Sequence, residues 1–367
     1  MFIHLNEFYT ARNLKYYPLS LKAAMAPGEP LSFAFSLKIT LCNGQTKGFG
    51  HCTIWELFNL TPTEVLDLPG RLFSQFGIPP QTLAAILERY NVQTVGKGRL
   101  DLAFDITEPP LYLISPANHY SWSKSTAITG IGSENLVELD VDLDARLDVQ
   151  SLRHRLDVSL ERQQAVYAVV VIAGSTEHGT VDPISDVLKL RKYYQSKGLS
   201  FMIHADAAWG GYFATKVIPP DKRPDFEFDP SNMSQRYAFS LPLNSRTNRE
   251  LWNLRFVDSI TVDPHKSGYV PYPGGALCYR DGRLRSLITW NSPVLNVGPN
   301  DSGALGIYGV GGRSVIIYVL RFYCFWPNDL STALPERQRL RYGSHTAVST
   351  LTVMVTVVYL ELQCWLA

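Results

Sequence analysis

Apolar residues along this chain change period from segment to segment, and the middle of the sequence reads most clearly. Leu111 to Ser115 is a short apolar run, and Asn135 to Val141 alternates apolar and polar residues with a period of two. The second pattern is that of a strand with one exposed face. Ala165 to Ala173 (AVYAVVVIA) is apolar almost throughout, as a strand covered on both faces should be. Ser200 to His204, Ser259 to Val262 and Gly275 to Tyr279 supply further strands. Helical periods lie between them. Asp148 is placed to cap a helix with Val149, Leu152 and Leu156 on one face. Asp182-Pro183 marks a second start, with Pro at the first helical position, Ile184, Val187, Leu188 and Leu190 toward a sheet, and Gly198 as the stop. Repeated β-α-β units predict an α/β fold with a mostly parallel sheet and helices on both faces. In such sheets ligands sit at the carboxyl ends of the strands.

Three zones follow from these patterns. Residues 1–110 mix helix-like stretches, such as Pro80 to Tyr90, with Pro and Gly breaks, and form a helical or irregular N-terminal part of the large domain. Residues 111–312 carry the sheet, with a polar stretch at 214–256 read as a surface insertion. Residues 313–367 change character. Ser314 to Trp326 is interrupted by Arg321, and Thr346 to Leu360 is uncharged but shorter than the roughly 20 apolar residues of a spanning helix. This tail is expected to lack a native fold, with a membrane anchor as the alternative.

Composition narrows the classes. A length of 367 residues suffices for a large domain with a substantial core plus something smaller. A net charge of +1 without blocks of like charge gives no reason to expect nucleic acid or a membrane surface as partner. Cys42, Cys52, Cys278, Cys324 and Cys364 are scattered and form no C-x-x-C pair. That argues against a disulfide framework and a zinc site, and for a reducing compartment. Met1 to Arg12 has no basic segment followed by an unbroken apolar core, so no secretory signal is expected and the cytosol is the default.

Candidate chemistry collects at the predicted strand ends. Asp258-Ser-Ile-Thr-Val-Asp-Pro-His265-Lys266-Ser-Gly runs from a strand through a Pro turn into a His-Lys pair. A partly buried lysine there loses its proton more easily and becomes a nucleophile toward a carbonyl, although a lone loop lysine is ordinarily just solvated. His204-Ala-Asp206-Ala-Ala208-Trp-Gly-Gly ends another strand. Its aspartate is placed either to pair with a protonated ring nitrogen or only to cap a turn. Thr176, in Gly174-Ser-Thr-Glu-His178, follows the most apolar strand and is equally a ligand hydroxyl or part of a β-α turn. His119, in Asn118-His-Tyr-Ser-Trp-Ser-Lys124, is placed to stack on a ring or to be a hydrogen-bonded surface histidine.

Together these segments resemble the large domain of the fold-type I enzymes that use pyridoxal 5′-phosphate (PLP). More narrowly, the chain resembles the group II amino-acid decarboxylases and their tyrosine-decarboxylase-like branch. The strings that carry the likeness are HYSWSK, IGSENLVELDVDLDARLD, IAGSTEHGTVDPI, HADAAWGG and DSITVDPHKSGYVPYPGGALCYRDG, within a span of roughly 11–310. The resemblance implies that Lys266 links covalently to the cofactor and that Asp206 binds its pyridine nitrogen. It implies further that His119 stacks on the ring, Ala208 packs on the other face and Thr176 lies near the ring's 3′-oxygen. His204 and His265 would hold the aspartate and phosphate neighbourhood. The implied activity is decarboxylation of an aromatic or acidic L-amino acid in a homodimer.

Family members carry a Ser/Gly-rich phosphate loop upstream of the segment that Ala11-Arg-Asn-Leu-Lys-Tyr-Tyr resembles, and a further α+β domain downstream. Neither is legible in this sequence, so low activity is expected of the chain as written. Two other readings share the ring-holding residues: a PLP lyase, aldolase or aminotransferase, and a non-catalytic remnant.

Overall fold

The computed structural model describes residues 2–217, 243–269, 274–290 and 307–308. The apolar stretches of the tail and most of the polar segment at 214–256 lie outside the described residues. A hairpin, β1 (Lys38–Thr40) and β2 (Thr46–Gly48), precedes the main sheet. The sheet comprises β3 (Leu111–Ile114), β4 (Leu136–Glu138), β5 (Val166–Ile172), β6 (Met202–Asp206), β7 (Ser259–Val262) and β8 (Ala276–Tyr279) in the order β4-β3-β5-β6-β7-β8. Every neighbouring pair is parallel except β7 with β8. A last pair, β9 (Thr289–Trp290) and β10 (Ile307–Tyr308), is antiparallel.

Ten α-helices are described: α1 (Phe2–Ala24), α2 (Ile54–Phe58), α3 (Pro62–Phe76), α4 (Pro80–Leu87), α5 (Val92–Val95), α6 (Lys97–Ala103), α7 (Ser121–Ile128), α8 (Val149–Glu161), α9 (Ile184–Ser196) and α10 (Ser245–Asn253). The sheet's two faces follow strand parity. On one face Tyr112, Ile114, Ala168, Val170, Ile172 and Met202 pack with Phe8, Ala11 and Leu14 of α1 and Trp122 of α7. On the other, Leu113, Val169, Val171, Ile203 and Ala205 pack with Leu152 and Leu156 of α8 and with Ile184, Val187 and Leu190 of α9. A register shift where Tyr167 is passed over lets that ring join the α1 face and stack on Tyr112.

The helix α1 runs through the interior. It has no one-sided apolar stripe because it is buried on most of its circumference. Its buried polar residues are therefore matched individually. Lys15 Nζ donates to the carbonyls of Phe58 (2.7 Å) and Ser200 (2.6 Å), and Asn13 donates to the carbonyl of Leu287 at 2.6 Å. Burial lowers the Lys15 pKa to about 7.

Two local expectations are corrected. Asp182 does not cap α9. Its carboxylate accepts from the backbone amides of Leu147 (2.8 Å) and Ile172 (2.6 Å), clasping the start of α8 to β5, and Pro183 stands one position before the helix rather than at its first residue. Within the stretch read as a surface insertion, 214–256, α10 and the turn after it bring Leu251 and Leu254 into the core, and the buried Glu250 of α10 accepts from the amide and hydroxyl of Ser185. The helix signals there are too short and polar to reveal that packing.

Candidate active site

Strand parity sends His204 and Asp206 of β6 to the α1 face, while Ala205 and Ala207 turn to the opposite one. Asp206 closes the strand, buried at 6% exposure. Its Oδ2 accepts the indole Nε1–H of Trp122 at 2.9 Å and lies 3.4 Å from His4 Nε2, and its Oδ1 accepts from the Ala208 amide at 3.3 Å. Burial pushes this carboxyl upward. The charge and hydrogen bond of His4 and the hydrogen bond of Trp122 outweigh that, holding it well below the usual carboxylate range. A fixed, ionised carboxylate thus stands at the carboxyl edge of the sheet.

Lys266 reaches the same edge from β7, the neighbour of β6. Asp206 is in register with Thr261, and the turn beyond β7 is pinned by the Asp263 amide donating to the Ala208 carbonyl at 3.3 Å and by the Lys266 amide donating to the Asp263 carbonyl at 2.9 Å. Lys266 Nζ lies 3.3 Å from Asp263 Oδ2 and 5.2 Å from the centre of the Trp209 ring, while Ser267 Oγ donates to the Trp209 carbonyl at 2.5 Å. The two loops are therefore tied to each other.

His119 follows β3 and sits at the entrance of α7. Burial lowers its pKa, as do the positive charges of His4 and Lys266, against the opposing pull of Asp206. His119 therefore feels the charges of both Lys266 and Asp206. Ala208, at 9% exposure, adjoins Asp206 directly. His204 is fully buried, with Nδ1 2.8 Å from Ser259 Oγ and Nε2 3.1 Å from Thr261 Oγ1, and burial drives its pKa down to about 3. It is a neutral brace between β6 and β7. His265 turns to the Gly274 carbonyl, and Thr176 is exposed on the turn after β5, where the buried hydroxyl is that of Ser175, bonded to Thr180 Oγ1 at 2.9 Å.

Glycine permits the close approach of these loops. A Cβ on Gly210 would lie 2.2 Å from the Ala173 carbonyl oxygen, and one on Gly174, at φ +89°, would lie 2.8 Å from the Gly210 nitrogen.

Three further residues belong to this centre: His4, Ser121 and Trp122. The HYSWSK string contains the last two, but no local period points their side chains at Asp206. His4 lies in a segment whose mixed polarity hides that it begins a buried helix.

The architecture is that of fold type I, an α/β protein with a mostly parallel sheet. The chain matches the pyridoxal-dependent decarboxylase conserved domain over residues 83–227. It is 30% identical over 318 residues to an L-tyrosine decarboxylase of Levilactobacillus brevis, covering 84% of this chain and 44% of that protein. An L-tyrosine decarboxylase of Enterococcus faecalis is 27% identical over 314 residues, 84% of this chain and 45% of the relative. Aspartate 1-decarboxylase of Aliivibrio fischeri is 28% identical over 208 residues, 56% of this chain and 32% of the relative. The chain thus spans less than half the length of each of these relatives. Among solved structures, mouse CSAD in apo form aligns with a TM-score of 0.41 at 20% identity, over 63% of this chain and 42% of that one.

The family's cofactor is PLP, and the donor set at the sheet edge suits it. A buried carboxylate kept ionised matches a protonated ring nitrogen, a primary amine matches an aldehyde, and the imidazole of His119 feels the charges of both. Among the described residues no group of His, Cys, Asp and Glu is arranged to hold a metal ion, and no helix is long and apolar enough to cross a membrane. Cys42, Cys52 and Cys278 are free thiols.

Proposed function

We propose that this chain binds PLP at the carboxyl edge of the sheet and takes part in the decarboxylation of an L-amino acid, aromatic such as tyrosine or acidic such as aspartate. The single observation that carries the reading is the buried, ionised Asp206 one strand away from Lys266. When bound, the cofactor supplies an electron sink for the bond to the departing carboxylate.

The chain's own residues do the rest. Lys266 would hold the cofactor through its amine, which Asp263 and the Trp209 ring position at the sheet edge. Asp206 accepts the ring N–H and keeps it protonated, because a carboxylate held ionised by His4 and Trp122 does not take that proton for itself. His119 offers a neutral imidazole to the ring face, and Ala208 leaves the opposite side free of bulk. Thr176 and His265 would serve the 3′-oxygen and the phosphate. The free thiols support a reducing, cytosolic setting, and the family resemblance supports a homodimer with a small-molecule substrate.

Absorbance with added PLP tests the reading. The parent should develop the visible band of a lysine-linked cofactor and Lys266→Ala should not. A band of equal strength in Lys266→Ala removes Lys266 from this role. Incubation with L-tyrosine or L-aspartate should release CO₂ and the corresponding amine, whereas a keto acid or an aldehyde would move the reaction to another PLP class.

A further inference from the structure

Ser121 lies at the start of α7, fully buried, and its hydroxyl touches two imidazoles at once. Ser121 Oγ is 2.6 Å from His4 Nδ1 and 2.6 Å from His119 Nδ1. At the far side of the first ring, His4 Nε2 faces Asp206 Oδ2 at 3.4 Å, and the ring is held flat against Trp122 with centroids 4.6 Å apart. A continuous chain of polar contacts therefore runs Asp206, His4, Ser121, His119.

Donor accounting fixes the protons in this chain. A hydroxyl has one proton and can donate it to one imidazole only. The backbone amide of Ser121 also points at His119 Nδ1, at 3.3 Å, so that nitrogen is an acceptor. A neutral His119 then carries its proton on Nε2, and the Ser121 hydroxyl donates to Nδ1. Ser121 Oγ is left as an acceptor for His4, so His4 Nδ1 bears a proton. His4 Nε2 faces an ionised carboxylate and bears one as well. His4 is thus the cationic partner of Asp206.

We propose that Ser121 is a positioning residue: its backbone amide and hydroxyl together clamp His119 in the Nε2–H tautomer, and its hydroxyl, as acceptor for Nδ1, holds His4 as the doubly protonated partner of Asp206. The inference deepens the PLP reading and rests on it for its purpose, but the proton positions themselves do not depend on the cofactor. Ser121 touches neither cofactor nor substrate and acts through the two histidines. The charged and titratable groups around the chain are Asp206 and His204 from β6 and Lys266 with Asp263 from the turn after β7. The field of the His4 cation agrees with the lowered pKa of His119.

The test uses the full chain labelled with ¹⁵N-histidine, without cofactor, and long-range ¹H–¹⁵N correlation spectra that report which ring nitrogens carry protons. At neutral pH, His119 should show the pattern of a protonated Nε2 and a bare Nδ1, and His4 that of two protonated nitrogens. Ser121→Ala should lower the fraction of His4 that carries two protons, because Nδ1 loses its acceptor, while His119 keeps a bare Nδ1 facing the amide of residue 121. The thermal midpoint should stay close to the parent's, and Ser121→Thr should restore the parent pattern of His4. Ser121→Ala should also weaken PLP binding about tenfold, the scale of one charge-assisted hydrogen bond. A His119 protonated on Nδ1, a His4 with one proton, or a Ser121→Ala spectrum unchanged from the parent overturns the proposal. If the tautomers are as stated while Lys266→Ala keeps the visible band, the clamp stands and the PLP reading alone falls.

Discussion

Trp122 donates its indole N–H to Asp206 Oδ2 at 2.9 Å, joining a helix after β3 to the last residue of β6. The ring is fully buried between His4 and Phe8, so the contact fixes the carboxylate and fills the α1 face of the sheet at once. Trp122→Phe should lower the free energy of unfolding by about 2–4 kcal/mol, from a lost hydrogen bond to a charged group and a partly emptied site. Urea unfolding of the cofactor-free protein measures it. A loss under about 0.5 kcal/mol would remove Trp122 as a support of Asp206.

Glu7, one turn along α1 from His4, is completely buried, and neither of its oxygens makes a hydrogen bond of good geometry. Burial raises its pKa from 4.5 to about 8, against a smaller lowering from the neighbouring Tyr112 hydroxyl. Between these two values the folded state holds a proton that the unfolded chain has released. Its contribution is complete below pH 4.5 and is lost as pH rises toward 8. The slope is at most about 1.4 kcal/mol per pH unit. Glu7→Gln should flatten stability against pH across this window relative to the parent, as read from urea midpoints at several pH values. Parallel curves for the two proteins would show that Glu7 is ionised in the fold.

Asp182 offers a third measurement. Asp182→Ala leaves the Leu147 and Ile172 amides without their acceptor and should cost about 2–4 kcal/mol. Faster hydrogen exchange at those two amides, localised rather than global, is the expected signature. Loss of helicity at the start of α9 instead would show that Asp182 supports that helix rather than the two amides.

Gly210→Ala should be damaging, because its Cβ would sit 2.2 Å from the Ala173 carbonyl oxygen on the floor of the candidate site. A cost of about 1–3 kcal/mol, with weaker PLP binding, is expected from overpacking against backbone. Gly98→Ala, in α6 with nothing within 4 Å of the added carbon, is the control and should be neutral or stabilising by up to about 1 kcal/mol. Equal thermal midpoints for the two variants would contradict the close approach.

The strands from Leu111 to Tyr279 were legible because a buried parallel strand must be apolar on both faces, and that demand is written locally. The period around Leu152 and Leu156, and the positions of Asp206, Lys266 and His119 at or just beyond strand ends, were readable because the strand bounds were. What the linear order could not convey is which side chains meet across it. The helix α1 carries no stripe, since burial on nearly all sides removes the contrast between faces that a periodicity needs. Trp122 and His4 become partners of Asp206, and Ser121 a partner of His4, only when α1 and α7 pack on the same side of β6, contacts separated by 84 residues for Trp122 with Asp206 and 117 for His4 with Ser121. Asp182 likewise looks like a helix cap to its neighbours and becomes a clasp only once Leu147 is brought beside β5. The sequence by itself determined the sheet and the residue types at its edge. Tertiary packing decided their partners and protonation, because burial and charge are properties of the assembled neighbourhood rather than of any segment.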